Sequence, residues 1–149
     1  MRSRVLLLIG AAIAALVVSG WASPRVGVPF RFWLSAVRTV TVGDRDLRLV
    51  EVTYAQGLRG VEALGSLDGA LFVLHAPAGA NAGMGMDDVL MPLDVVFFDA
   101  SGRVVGRATM ARCQVGNCRG YFPTAPWQFA IEAPAGSLSW VTDKSGLSL

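Results

Sequence analysis

At 149 residues and 15.7 kDa, the chain has the length of one domain, with little left over for a second. Hydrophobic residues make up 53% of it and charged residues 16%, which excludes a disordered polymer and supplies material for a core. The formal charge of +2 resides in Arg2 and Arg4, because beyond residue 22 the other 11 basic residues balance 11 acidic ones. That neutral remainder lacks the basic field that phosphate backbones require, so nucleic acid is not an expected partner.

The first predicted element is an uncharged apolar run, Val5–Ala22, behind those two arginines, interrupted only by Gly10, Ser19 and Gly20. As a helix it extends about 27 Å, just short of a hydrocarbon core of about 30 Å. Arg2 and Arg4 fit the positive region of a signal peptide, Val5–Val18 its apolar region, and Gly20-Trp21-Ala22 its small-residue cleavage site. If it is not cleaved, residues 5–22 make a membrane anchor. In both cases the positive flank stays in the cytoplasm and the rest is exported, to a periplasm or cell surface. A buried cytosolic helix fits less well, since one polar stripe is expected of it and none is present. Residues 23–37, with Pro24 and Pro29, read as a tether, and residues 38–149 as a single domain.

Within the domain, Thr39–Val52 reads as a β-hairpin turning at Gly43-Asp44. Thr53–Leu64 has near-helical apolar spacing behind a candidate cap at Thr53, weakened by Gly57 and Gly60. Ala70–His75 is a short apolar strand, and Pro77–Gly85 a glycine-rich bend. Leu90–Asp99 is the strongest strand signal, followed by a turn at Ala100-Ser101-Gly102 and a strand Arg103–Gly106, giving a second hairpin. Trp127–Ala133 is a further strand and Ala135–Thr142 a short closing helix. The rhythm of short strands and turns predicts an α+β, mainly β fold. Its expected form is a small compact barrel-like sheet with one or two short helices, preceded by the N-terminal hydrophobic helix.

Cys113 and Cys118 flank Gln-Val-Gly-Asn, whose Gly116-Asn117 is turn chemistry able to bring the two Cα atoms within the roughly 4.4–6.8 Å that a disulfide needs. In an oxidising compartment this pair is expected to be bridged. A redox motif has a different spacing, and no second cysteine pair exists to complete a zinc tetrahedron.

Several motifs occur in a fixed order: Gly57-Leu58, Asp68–Val73, Met86 through Met91-Pro-Leu-Asp-Val-Val-Phe97, Ser101–Val105, Phe129–Glu132 and Ala135-Gly136. Together they resemble the bacterial and archaeal family called domain of unknown function 192, over roughly residues 38–149. The resemblance implies a small β-rich domain with one or two helices, usually exported, and no established activity. The chain departs from the family pattern where a tryptophan, a lysine and an asparagine usually surround the central methionine; here these positions are Gly85, Asp87 and Asp88. Arg59 stands where a methionine commonly follows the glycine-leucine pair, and the closing strand is reduced to Ser145–Leu149.

Asp94 is the leading candidate for chemistry. Alternation puts Leu93, Val95 and Phe97 on one strand face and Asp94, Val96 and Phe98 on the other, so its carboxylate shares a face with large apolar groups. There it must be hydrogen-bonded, paired or protonated. It is either a general acid/base, with Asp88 or Glu132 assisting, or a buried clamp held by backbone N–H groups of the glycine-rich bend or by an arginine. The binding candidates are accordingly Asp88, Asp94 and Glu132. Asp87, Asp88, Asp68, Asp94 and His75 could together face a hard cation, but their spacing suits a solvated loop better, and no metal or cofactor is expected. Nucleophile elbows and phosphate loops are absent. Met84, Met86, Met91 and Met110 read as core, and Trp127, Tyr121 and Phe122 as packing rather than a ligand platform. Three functions follow, in order of preference: a non-enzymatic envelope module binding an unknown ligand or protein, a carboxylate-dependent hydrolase-like enzyme, and a purely structural domain.

Overall fold

Alternating β-branched and polar residues on either side of Gly43-Asp44 fold into the first hairpin, β1 (Val37–Val42) and β2 (Arg45–Val52). Val42 pairs with Arg45 across a two-residue loop, and Gly43 takes the positive φ of 61° that such loops favour. The computed structural model describes residues 36–52, 66–87, 89–113 and 117–149. The predicted leader, the tether up to residue 35, the helix expected at Thr53–Leu64 and Asp88 lie outside the described residues.

The remaining strands are β3 (Gly69–Ala78), β4 (Leu93–Phe98), β5 (Val104–Met110), β6 (Trp127–Pro134) and the two-residue β7 (Leu147–Ser148). They form one sheet in the order β5-β4-β6-β3-β2-β1-β7, antiparallel except for the parallel pair β2–β3. The sheet curls into a half-barrel whose two edges meet at a single bridge between Arg103 and Gly146. All six residues of β4 are buried, because both faces of the sheet carry apolar layers. One layer joins Phe72, Leu93, Val95, Phe97, Met110 and Trp127; the other joins Val40, Leu49, Leu71, Val96, Phe98 and Ile131.

Three expectations need correction. The fold is mainly β, but the described residues contain no helix. Ala135–Thr142 is instead a series of turns closed by i→i+3 bonds: Ser137 N–H to Pro134, Ser139 to Gly136 and Val141 to Leu138. Gly136 sits at φ 88°, outside the helical region, and two of the backbone N–H groups are taken by a side chain described below. The bend expected from Pro77 begins later, since β3 runs through Pro77 to Ala78. It does so where its register against β6 slips between Val73 and Ala78, a place where a missing N–H is tolerated. β4 starts at Leu93 rather than Leu90, directly after Pro92.

Candidate functional site

Asp94 lies on β4 opposite Thr109 of β5 and Ala133 of β6. Its carboxylate is buried, and each of its oxygens is engaged. Oδ1 accepts the Thr109 hydroxyl at 2.7 Å, and Oδ2 accepts the backbone N–H groups of Gly136 at 2.8 Å and Leu138 at 3.0 Å. The backbone donors come from the turn after β6, not from the glycine-rich bend, and no arginine among the described residues takes part. Asp94 thus ties the β4–β5 hairpin to that turn, and it explains why the turn does not wind into a helix. A shallow hollow of about 160 Å³ adjoins it, with Arg107 and Ser139 on the rim. Arg107 itself is directed to the Val141 carbonyl at 2.6 Å.

Glu132 is separated from Asp94 by the sheet. In the ladder Glu132 pairs with Val95 on β4 and with Ala70 on β3, whereas Asp94 pairs with Ala133. Directly paired side chains share a face and successive ones alternate, so the two carboxyls project from opposite faces. The geometry of a carboxylate pair acting on one bond is therefore not met. Glu132 is 4% exposed among apolar neighbours, and burial pushes its carboxyl up from 4.5 to about 8.

The other acidic candidates are dispersed. Asp68 accepts the Arg48 N–H at 2.7 Å, Asp87 is exposed, and His75 is exposed on β3. Among the described residues no three His, Cys, Asp or Glu side chains are grouped so as to hold a metal ion. Trp127 is buried, donates its indole N–H to the Ala82 carbonyl at 2.8 Å, and meets Phe97 edge-on at 5.1 Å, so its ring faces the core. Tyr121 accepts the Ala111 N–H through its hydroxyl at 2.9 Å; Phe122 alone of the three aromatics is exposed. Met84, Met86 and Met110 are core residues. Cys113 and Cys118 form a disulfide with their Cα atoms 5.6 Å apart. That bond is compatible with an extracytoplasmic location.

An open cleft of about 640 Å³ occupies the seam where the sheet edges meet. One wall is the β4–β5 turn. Asp99 Oδ1 accepts the Ser101 hydroxyl at 2.6 Å and the N–H groups of Ser101 and Arg103 at 2.9 and 3.0 Å, while Oδ2 is held by Arg103 Nε at 2.8 Å and Nη2 at 2.7 Å. These donors, the Ser101 hydroxyl first, hold the carboxyl well below the usual carboxylate range. The facing wall is the turn Thr142–Gly146, pinned by Ser145 N–H to the Thr142 carbonyl at 2.9 Å and by Leu147 N–H to the Gly102 carbonyl at 2.8 Å. Val104, Val105 and Pro126 contribute apolar lining. Sequence reasoning missed this site: Asp99-Ala-Ser-Gly signals a turn, but its partner wall lies some forty residues away.

The fold and site together define a small curled β domain with an open, charge-lipped cleft and buried carboxyls that are not assembled into one centre. By sequence, the chain belongs to the DUF192 family (Uncharacterized ACR), which it matches over residues 49–147. It is 32% identical over 95 residues to a UPF0127 protein of Thermococcus kodakarensis; the match covers 63% of this chain and 57% of that protein, so it spans little more than half of the relative. Two solved structures share the fold. A protein of unknown function from Novosphingobium aromaticivorans superposes with a TM-score of 0.62 at 19% identity, covering 76% of this chain and 85% of that one. A proposed transcription regulator from Sinorhizobium meliloti gives a TM-score of 0.62 at 18% identity, covering 76% and 94%. At these identities the likeness is one of fold alone.

Proposed function

We propose that this chain is an exported β-rich module of the cell envelope that binds a small ligand or a partner without acting on it chemically, and that residues 1–22 direct it to the membrane as a signal peptide or anchor. The observation that carries this reading is the disposition of the carboxyls. Asp94 and Asp99 have their oxygens occupied by structural donors, and Glu132 projects from the face opposite Asp94. A general acid or base needs a proton-accepting atom within reach of substrate, and on both aspartates each oxygen is already engaged by a structural donor.

The cleft favours binding over a purely structural role, because its volume of about 640 Å³ falls in the range of ligand sites, roughly 300–1,000 Å³. The disulfide and the uncharged run behind Arg2 and Arg4 support export. The balance of 11 basic against 11 acidic residues beyond residue 22 supports a partner other than nucleic acid.

The location is tested by adding protease to spheroplasts that express the full chain with a C-terminal tag. Digestion of the domain is expected, and survival until the inner membrane is lysed contradicts export. The clamp role of Asp94 is tested by Asp94→Ala, which strands two backbone N–H groups and a hydroxyl and should lower stability by about 2–4 kcal/mol. A variant as stable as the parent in urea unfolding would return Asp94 to the list of functional residues.

A further inference from the structure

The lining of the cleft at the seam carries two cations, Arg103 and Lys144, and two carboxylates, Asp99 and Asp143, of which Lys144 alone lacks a charged partner among the described residues, and this points to a class of ligand. On one lip, Arg103 gives Nε and one Nη2 hydrogen to Asp99, yet its side chain remains 80% exposed. A guanidinium has five N–H donors, so the bonds to Asp99 leave others facing outward while fixing the position of the group. Asp99 keeps its negative charge, but its oxygens are turned into the Ser101–Arg103 turn and are not presented to a visitor.

On the other lip stands Lys144. Its backbone is held by a 3.3 Å bond from its N–H to Thr142 Oγ1, and its ammonium forms no hydrogen bond or ion pair with the described residues. Asp143 beside it is 83% exposed and lies 3.7 Å from Arg107 Nε, a cation that does not line this cleft. Two cations with unused donors therefore flank a lining that includes Val104, Val105 and Pro126, with Asp143 beside Lys144 turned toward Arg107.

We propose that this cleft binds a small amphipathic organic acid, its carboxylate held between Arg103 and Lys144 and its short aliphatic tail laid on the valine and proline lining. The assignment rests on the binding-module reading and names the ligand class for it. The planar fork of Arg103 suits a carboxylate, since two parallel charge-assisted N–H bonds match its two oxygens. A neutral analogue of equal size forgoes both charged contacts and gains only the apolar burial. The walls are tied to each other through Leu147 N–H and the Gly102 carbonyl, so little ordering accompanies binding.

The test uses the full chain in lipid nanodiscs, with hexanoate and hexanamide as probes and empty nanodiscs as the blank. Ligand-observed saturation-transfer NMR should give saturable binding of hexanoate and at least about tenfold weaker binding of hexanamide, the difference that two charge-assisted contacts supply. Lys144→Gln, whose side chain supports nothing else in the fold, should weaken hexanoate severalfold. Adding Arg103→Gln should bring it to the level of the amide, and Asp143→Asn should tighten it. Equal binding of acid and amide, unchanged affinity in the double variant, or no saturable signal each overturns the assignment. The outcome is separable from that of the export test: an exported domain indifferent to hexanoate loses only the ligand class, and a hexanoate-binding domain retained in the cytoplasm loses only its location.

Discussion

Glu132 and Asp94 sit on neighbouring strands and are both buried, yet only one of them meets donors. Asp94 is met by three donors, whereas Glu132 faces Ala70 and Val95, which offer none. With its carboxyl raised from 4.5 to about 8, Glu132 keeps its proton at neutral pH in the folded protein, while the unfolded chain has already lost it. Stability should therefore be fully present below about pH 4.5, fall as pH rises toward about 8, and level off above that. At about 1.4 kcal/mol per pH unit, the loss across the window is on the order of 5 kcal/mol. Glu132→Gln, neutral at every pH, should abolish the decline. Urea unfolding of both proteins at pH 5 and pH 8.5 is the check, and a stability difference that does not widen with pH would show that Glu132 is solvated after all. The strand that carries Glu132 was readable as Trp127–Ala133. Which of the two acids would be left without donors was not, because the donors of Asp94 come from residues 15 to 44 positions away.

At the level of elements, two glycines at positive φ make different demands. Gly43, at 61°, turns the first hairpin, and a Cβ there would meet only the Ser145 side chain at 3.6 Å, an ordinary contact. Gly102, at 79°, closes the second hairpin, and a Cβ there would come within 2.3 Å of the Leu147 carbonyl oxygen. Gly43→Ala should thus cost only the conformational penalty of about 1 kcal/mol, whereas Gly102→Ala must also push β7 away and should cost at least about 2 kcal/mol. Midpoints of thermal unfolding would rank the two, and equal losses would mean that the seam yields freely. Both turns were legible from Gly43-Asp44 and Ala-Ser-Gly102. The contact of Gly102 with the C-terminal strand was not, since a two-residue strand such as Leu147–Ser148 has no periodicity to read.

For the whole molecule, the disulfide acts on the segment around Cys113, which bridges to Asp87 and Val89 and so holds the loop before β4 against the end of β5. Closing so short a loop restricts the unfolded chain by roughly 2 kcal/mol. Reduction should lower the thermal midpoint by several degrees, and an unchanged midpoint with fully titrated thiols would assign the bond no part in stability. The same bond links the fold to its proposed compartment. A reducing cytosol would remove this contribution and an oxidising envelope would keep it.

The sequence by itself determined what depends on neighbours a few residues apart: both hairpins and their turns, the strand character of β3, β4 and β6, the opposed faces of Leu93 and Asp94, and the short disulfide. These follow from a two-residue period and from the backbone preferences of glycine, which act locally. The tertiary structure alone decided the parallel pairing of β2 with β3, the meeting of the sheet edges at Arg103 and Gly146, and the cleft that this meeting creates. It also decided that Ala135–Thr142 would turn rather than wind, because Asp94, more than forty residues earlier, takes two of its N–H groups. Each of these outcomes depends on which distant groups face one another once the sheet curls, and no local pattern carries that information.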